Sequence, residues 1–400
     1  MCSSDLGRYA IHFHHNFGPK QTPANGYQFT LIGNAVDHAP KWGVTIHNSH
    51  YGLVRDNVSY DTAGAGFVTE DGNEAFNVFD HNFALRVQGS GEGAPRSGYG
   101  GAAPDPGGEG AAFWFRGPHN YIRGNVAANA DAMGYGLAAG ALGVVRIPRF
   151  KGADLTQAEA GVDLDTTQSA VLEFSRNEAY GAMQMGAAWG WNGTIADFRV
   201  WHPSRQGVNA APTDTLTIER LVARGDQAVL TSDGENPVGV WFSNYVAKSV
   251  TVRDANIQGL RVGVGSPFYP KRVEAEPGRG DGRAIVDGGY FRNYIGVSVA
   301  SAYSADNETA TAAKHALVRG ARFDALDVRP SPLHPPAAIT MNYRMATGDP
   351  EPRDPILVER FNDTPGNDFA VFYSLDAPPR NAPCQQRRAA IAGWACAPGR

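Results

Sequence analysis

Cysteine is scarce in this sequence, with 3 residues among 400. No Cys-x-x-Cys pair occurs, so a zinc site built on cysteine ligands is excluded. Cys384 and Cys396 stand near each other in the last part of the chain. An isolated even pair of this kind predicts one disulfide in an oxidising compartment, with two unpaired thiols as the alternative.

Long apolar runs and basic runs are also missing. No stretch approaches the roughly 18 uncharged apolar residues of a membrane-spanning helix, so we expect no membrane span. The formal net charge is −5 and no run of lysine and arginine occurs. Nucleic acid and anionic membranes are therefore not expected as main partners.

A short repeat is the main feature that is present. Asn34 and Asn57 each follow an apolar residue by three positions and precede a glycine, Gly43 or Gly66, by nine. The same spacing of an apolar residue before the asparagine and a glycine after it recurs, wholly or in part, at Asn82, Asn125 and Asn177. A period of about 20 to 25 residues that is rich in glycine and β-branched residues indicates a β-solenoid. We expect the repeated asparagines to form one interior hydrogen-bonded ladder, because buried amides must be paired.

The apolar residues alternate with period 2, as expected for strands with one face inward. We therefore predict an all-β chain, with a parallel β-solenoid over residues 7–345 and a C-terminal capping tail over residues 346–400. Two polar or irregular stretches, residues 87–111 and 143–168, are predicted to leave the solenoid as excursions. The first of these is glycine-rich and is expected to overhang a lateral groove that holds the functional residues.

The first six residues, MCSSDL, differ in character from the repeats and can be encoded by the end of a common sequencing adapter. We expect them to be foreign and the native chain to enter at Gly7 in mid-domain. The lack of a visible signal peptide then carries no information about export.

Histidines and carboxylates are concentrated in the first coils. If Ile11, Ile46 and Thr69 occupy equivalent inward positions, the next residue of each strand projects outward in one column, about 5 Å apart from coil to coil. This places His12, His47 and Glu70 together. The full set predicted to line one lateral groove and act in catalysis is His12, His14, His47, Asp61, Glu70, Asp71 and His81.

The chemistry of this set is open between several alternatives. Paired carboxylates and imidazoles can act as general acid and base in glycoside cleavage. A lyase would instead need a base and a cation beside a uronate carboxylate. No cofactor is certain, but a divalent metal such as calcium could be held by His12, His14, Asp61 and Glu70. Candidate substrate contacts are Arg8, Arg55, Arg86 and Trp114.

Three segments resemble a known family. GRYAIHFHH, the run from VTIHNSHYGL to HNFALRV, and AAFWFRGPHNYIRGNVAANADAMGYG are similar to the family of the cell-migration-inducing hyaluronan-binding protein and its transmembrane hyaluronidase relative. The resemblance implies a right-handed parallel β-helix. It also implies a secreted or cell-surface protein that binds or depolymerises hyaluronan or a related acidic polysaccharide.

The sequence therefore supports two functions. The first is a secreted, hyaluronidase-like enzyme, either hydrolase or lyase, that cleaves an acidic polysaccharide. The second is a non-catalytic glycan-binding or adhesion β-helix that uses the same groove. In both cases we expect the chain to act as a monomer.

Overall fold

The chain forms a stack of parallel β-coils in a computed structural model. The structure describes residues 9–16, 26–89, 108–117, 119–137, 142–151, 154–166, 169–182, 185–189, 192–210, 212, 214–226, 237–242, 249–267, 283–300, 315–326, 337–343, 356–359 and 371–375. Arg8, the first six residues, the glycine-rich stretch 90–107 and both Cys384 and Cys396 lie outside these ranges. The disulfide and the overhanging loop stay predictions.

Three parallel sheets make up the stack, with strands numbered here in chain order. Sheet 1 contains β1 (Ile11–His14), β4 (Val44–His47), β7 (Ala65–Thr69), β10 (Ala111–Phe115), β13 (Met133–Leu137), β18 (Met185–Trp189), β21 (Gln206–Ala210), β24 (Val238–Phe242), β27 (Val262–Pro267), β30 (Ile295–Ala300), β33 (Ala337–Tyr343) and β35 (Val371–Leu375).

Sheet 2 contains β2 (Phe29–Ile32), β5 (Gly52–Arg55), β8 (Val78–Asp80), β11 (Tyr121–Arg123), β16 (Glu173–Ser175), β19 (Gly193–Ala196), β22 (Thr215–Glu219), β25 (Ser249–Arg253), β28 (Arg283–Asp287), β31 (His315–Arg319) and β34 (Ile356–Glu359). Sheet 3 contains β3 (Ala35–Asp37), β6 (Val58–Tyr60), β9 (Phe83–Leu85), β12 (Val126–Ala128), β17 (Glu178–Tyr180), β20 (Arg199–Trp201), β23 (Val222–Arg224), β26 (Asn256–Gln258), β29 (Tyr290–Asn293) and β32 (Arg322–Ala325).

From β1 to β32, each coil contributes one strand to each sheet in turn, which defines a parallel β-helix and confirms the predicted fold class. The right-handed winding stays a prediction. The sheets extend beyond residue 345, because β34 pairs with β31 and β35 pairs with β33. The segment assigned from the sequence to a tail thus contributes strands to the same two sheets.

The interior is an apolar column built from the inward residues of all three sheets. Phe67, Phe113 and Tyr135 stack on one another in successive coils, with ring centroids 5.0 and 4.9 Å apart. All three are fully buried. Such stacks arise because parallel coils in register place equivalent side chains one coil rise apart.

The asparagine ladder is present as predicted. Each side-chain oxygen accepts the backbone and side-chain N–H groups of the asparagine one coil earlier, from Asn34 through Asn57, Asn82 and Asn125 to Asn177. The side-chain separations are 2.9 to 3.1 Å. The ladder ends at Asn177 because the next equivalent positions are the buried apolar residues Phe198 and Leu221.

The predicted excursion at 143–168 contains an antiparallel hairpin, β14 (Val144–Lys151) and β15 (Asp154–Asp165). Ile147 and Leu164 of this hairpin cluster with Tyr51 and Ala75. The hairpin therefore packs against the corner that comes after β4 and β7 in the chain. Among the described residues, no helix has the length and hydropathy needed to cross a lipid bilayer.

Candidate active site on the outer face of sheet 1

The ends of β1, β4 and β7 carry the candidate site. Ile11, Phe13, Val44 and Ile46 pack on the inner core, so the alternating histidines point to the outer face. The group that meets there is called the histidine–carboxylate cluster; it comprises His12, His14, His15, His47, Glu70 and Asp71.

Strand register corrects one step of the sequence interpretation. Phe13 pairs with Ile46, which pairs with Thr69, so His14 rather than His12 stands in the column of His47 and Glu70. His12 occupies the neighbouring outward column with Thr45 and Val68. The error is a shift of two residues, which alternation cannot detect because a two-residue shift preserves which face each side chain occupies.

His47 lies between two carboxyl groups. Its Nδ1 is 3.2 Å from Oε2 of Glu70, and its Nε2 is 3.0 Å from Oδ2 of Asp71. The Nε2 of His12 is 3.9 Å from the same Glu70 oxygen. The side chains of His12, His47 and Glu70 are 16%, 19% and 17% exposed, whereas Asp71 is 41% exposed. Asp71 is therefore the member of this chain of contacts that solvent reaches most easily.

The electrostatics of the three groups differ. Burial raises the pKa of Glu70, against the opposing effect of His47. The hydrogen bond with Asp71 raises the pKa of His47, and the same bond lowers the pKa of Asp71. Partial burial, together with the neighbouring His15 and His47, lowers the pKa of His14. The cluster thus holds an ionised carboxylate beside groups that can accept or give up protons near neutrality.

A buried glutamate fixes the turn that carries Asp71. Glu74 is fully buried and accepts backbone N–H groups from Asn48 at 2.9 Å, Asp71 at 3.0 Å and Gly72 at 2.8 Å. Since a buried carboxylate is tolerated only when it is paired, these bonds lock the turn to the preceding coil. Glu74 is not among the residues predicted from the sequence, although its place beside an Asp-Gly turn is visible there.

Four further residues adjoin the cluster and were also missed. The Tyr9 hydroxyl donates to Oε1 of Glu70 at 2.9 Å, and the Tyr9 ring stacks on Trp42. The Lys41 ammonium lies 4.4 Å from the Trp42 ring centroid and 3.5 Å from the Tyr9 hydroxyl. Arg116 donates from Nη1 to the Glu70 carbonyl at 2.9 Å. Arg116 comes directly after Phe115, the register partner of Thr69, so the repeat spacing could have found it.

Two predicted catalytic residues lie elsewhere, and their placement in this groove was wrong. Asp61 comes directly after β6 at the corner between sheets 3 and 1, where it contacts His38 at 3.0 Å and Arg86 at 3.6 Å. His81 comes directly after β8 at the corner between sheets 2 and 3, paired with Asp56 at 2.7 Å. Both have positive φ, of 51° and 55°, as corner residues between strands.

The predicted substrate contacts are also dispersed. Arg55 pairs with Asp56 at the corner between sheets 2 and 3, and Arg86 lies beside Asp61. Trp114 is 9% exposed and belongs to a second apolar cluster on the outer side of sheet 1, with Trp42 and Val68. Tyr9 packs against that second cluster, so it connects the aromatic surface to Glu70.

The fold and this cluster define a parallel β-helix with a histidine–carboxylate centre on one outer face. Residues 1–187 match the family model described as CEMIP beta-helix. The match includes every residue of the cluster.

Curated relatives are similar to part of the chain. The chain is 36% identical to human fibrocystin-L over 130 residues, which is 32% of this chain and 3% of that protein. It is 32% identical over 147 residues to the human cell migration-inducing and hyaluronan-binding protein, covering 32% of this chain and 11% of the relative. It is 30% identical over 145 residues to the zebrafish (Danio rerio) cell surface hyaluronidase, covering 32% and 10%.

The chain thus spans about a tenth or less of the length of these relatives. It is distantly related to cell-surface hyaluronidases and hyaluronan-binding proteins.

Proposed function

We propose that this chain binds an acidic polysaccharide of the hyaluronan type on the outer face of sheet 1 and shortens it there. The observation that carries the proposal is the arrangement in which His47 joins the carboxyl groups of Glu70 and Asp71. The names of two relatives, a hyaluronan-binding protein and a cell surface hyaluronidase, support the choice of polymer. By analogy with those relatives we also propose export to the outside of the cell.

Binding would use cations beside the cluster. Lys41 and Arg116 both lie next to Glu70, and Arg116 contributes to the lowered pKa of Asp71. A guanidinium carries five N–H groups, so Arg116 can hold the Glu70 carbonyl and still donate to a uronate carboxylate. These two residues replace the dispersed Arg55 and Arg86 as the proposed substrate contacts.

The chemical step would depend on Asp71. It is ionised, it is the more exposed of the two carboxyl groups, and His47 fixes its orientation. Its exposure and fixed orientation would let it reach a proton on a bound chain, and its ionised form can accept one. His14, which is exposed and has a lowered pKa, is placed to exchange a proton on the same face.

The experiment is incubation of the purified chain with hyaluronan, chondroitin, a polyuronate and neutral dextran, with and without a chelator. Chain length is followed by light scattering after size exclusion, and unsaturated sugars by ultraviolet absorbance. Shortening of an acidic polymer with new absorbance identifies a lyase, and shortening without it identifies a hydrolase. If the chain binds an acidic polymer without shortening it, the catalytic half of the proposal is contradicted. Shortening of dextran contradicts the proposed specificity for acidic polysaccharides.

A further inference from the structure

We propose that His12, His47 and Glu70 form a binding site for one divalent transition-metal ion, with zinc as the best match. The site lies within the histidine–carboxylate cluster, so its catalytic use rests on the proposed function. Its existence can be tested by metal binding alone.

The geometry is the first argument. Among the described residues, His12, His47 and Glu70 each place one ligand atom within 4.8 Å of the others. Nε2 of His12, Nδ1 of His47 and Oε2 of Glu70 are all buried atoms, and the last two are 3.2 Å apart. Ligands about 2.0–2.1 Å from a tetrahedral zinc ion stand about 3.3 Å apart. The three atoms therefore need only a small side-chain adjustment to share one ion.

The second argument is that two of the ligand side chains, His47 and Glu70, are held by other residues through the atoms that would not bind the ion. Nε2 of His47 faces Oδ2 of Asp71 at 3.0 Å, which leaves Nδ1 directed at Glu70 and His12. The Tyr9 hydroxyl donates to Oε1 of Glu70 at 2.9 Å, which leaves Oε2 directed at the histidines. A carboxylate behind a ligating histidine and a hydrogen bond behind a ligating carboxylate are the usual supports of metal ligands in proteins.

The donor atoms decide which metal is expected. Calcium prefers six to eight oxygen ligands, whereas this site offers two imidazole nitrogens and one carboxylate oxygen. Two histidines with one carboxylate suit zinc and other first-row transition metals. The calcium ion considered from the sequence does not fit these donors, and Asp61 is not among them because it lies at another corner.

A second set, His14, His15 and His47, also meets the distance condition. It shares His47, so the two sets compete for that ring. His14 and His15 are exposed, whereas His12 and Glu70 are mostly shielded from solvent. The first set is favoured because its ligand atoms are buried and its carboxylate is already held by Tyr9.

Three protein ligands leave one position of a tetrahedral ion for water or substrate, as in catalytic zinc sites. The ion would polarise an oxygen atom of the bound chain or of a water molecule.

The test begins with the full chain stripped by a chelator and dialysed, to which zinc chloride alone is added. Metal content after desalting and competition with a chromophoric chelator give stoichiometry and Kd. We expect one zinc ion per chain. His12→Ala, His47→Ala and Glu70→Gln should each weaken binding at least 100-fold, and Asp71→Asn and Tyr9→Phe about 10- to 100-fold. Glu219→Gln, a carboxylate on sheet 2, is the matched control and should bind like the parent.

His15→Ala separates the two sets. Binding unchanged in this variant supports the first set, whereas loss equal to that in His12→Ala overturns the assignment. Cobalt(II) substitution gives a second readout, because ligation by His12, His47 and Glu70 should produce visible absorption that is lost in Glu70→Gln. Absence of both tight zinc binding and the cobalt spectrum in the parent contradicts the proposal.

The outcomes separate this inference from the proposed function. If the chain binds one zinc ion through these ligands but leaves every polysaccharide intact, the metal site is supported and the proposed enzymatic activity is contradicted. If the chain shortens hyaluronan equally well after metal removal, the proposed enzymatic activity is supported and a catalytic role of the metal ion is contradicted.

Discussion

Nδ1 of His47 lies 3.2 Å from Oε2 of Glu70, although the two residues belong to different coils. The contact results from register, since Ile46 pairs with Thr69 and the next residue of each strand turns outward. The inner ladder and the outer cluster thus share one cause, which is the in-register pairing of successive coils.

The ladder itself gives the first prediction, for Asn82→Ala. Asn82 accepts two hydrogen bonds from Asn57 and donates to Val54 and Asn125, all in the buried interior. Truncation leaves these partners unsatisfied, so we expect a loss of about 2–3 kcal/mol in the free energy of unfolding. Urea denaturation followed by circular dichroism measures it, and hydrogen exchange at the Asn57 amide reports the local effect.

Asn34→Ala is the matched control. Asn34 stands at one end of the ladder and is only half-buried, so its loss should destabilise the fold less than that of Asn82. Equal stability of Asn82→Ala and the parent would contradict the structural role of the ladder.

Much of the fold was predictable because the signals are local and repeated. The spacing from Asn34 to Asn57 and the alternation of Val44 and Ile46 were enough to predict stacked parallel coils. The hairpin of β14 and β15 was not predictable, because its packing on Tyr51 and Ala75 depends on contacts distant in sequence.

The candidate site was predictable in part. His47, Glu70 and Asp71 were placed together correctly, since one repeat unit separates them. Asp61 and His81 were misplaced because closeness to the repeat does not reveal which of three corners a residue occupies. Tyr9 was missed because a hydrogen bond to Glu70 leaves no pattern in the sequence, whereas Arg116 could have been found from the repeat spacing.

The second prediction concerns acid stability and His50. This side chain is fully buried, its Nδ1 accepts the Ala75 N–H at 3.3 Å, and burial lowers its pKa to about 3. A histidine with a lower pKa in the folded state takes up a proton on unfolding. The free energy of unfolding should therefore fall by about 1.4 kcal/mol per pH unit from pH 6.5 down towards 3.

His50→Asn removes this proton uptake while keeping an acceptor for the Ala75 amide. Unfolding free energies of the parent and the variant, measured from pH 7 to pH 4, should converge as the pH falls. A constant difference between the two over that range would show that His50 does not contribute to acid sensitivity.

The third prediction tests the cations beside the cluster. Lys41→Gln should weaken hyaluronan binding about 3- to 5-fold at low salt, as expected for one partly exposed charge contact. The effect should shrink as salt is added, because exposed charges are screened. Titration calorimetry with hyaluronan fragments measures it. Arg199→Gln, with the same charge change on sheet 3, should bind like the parent, and an equal loss in both variants would point to net charge alone.

The most direct measurement of the central claim is the chain length of hyaluronan after incubation with the parent, with Glu70→Gln and with the control Glu219→Gln. Glu70 contacts His47, His12 and Tyr9 but is not part of the inner core, so its replacement should leave the circular dichroism spectrum unchanged. The account predicts shortening by the parent and by Glu219→Gln, and a loss of at least about 100-fold in rate for Glu70→Gln. Equal shortening by all three proteins would contradict it.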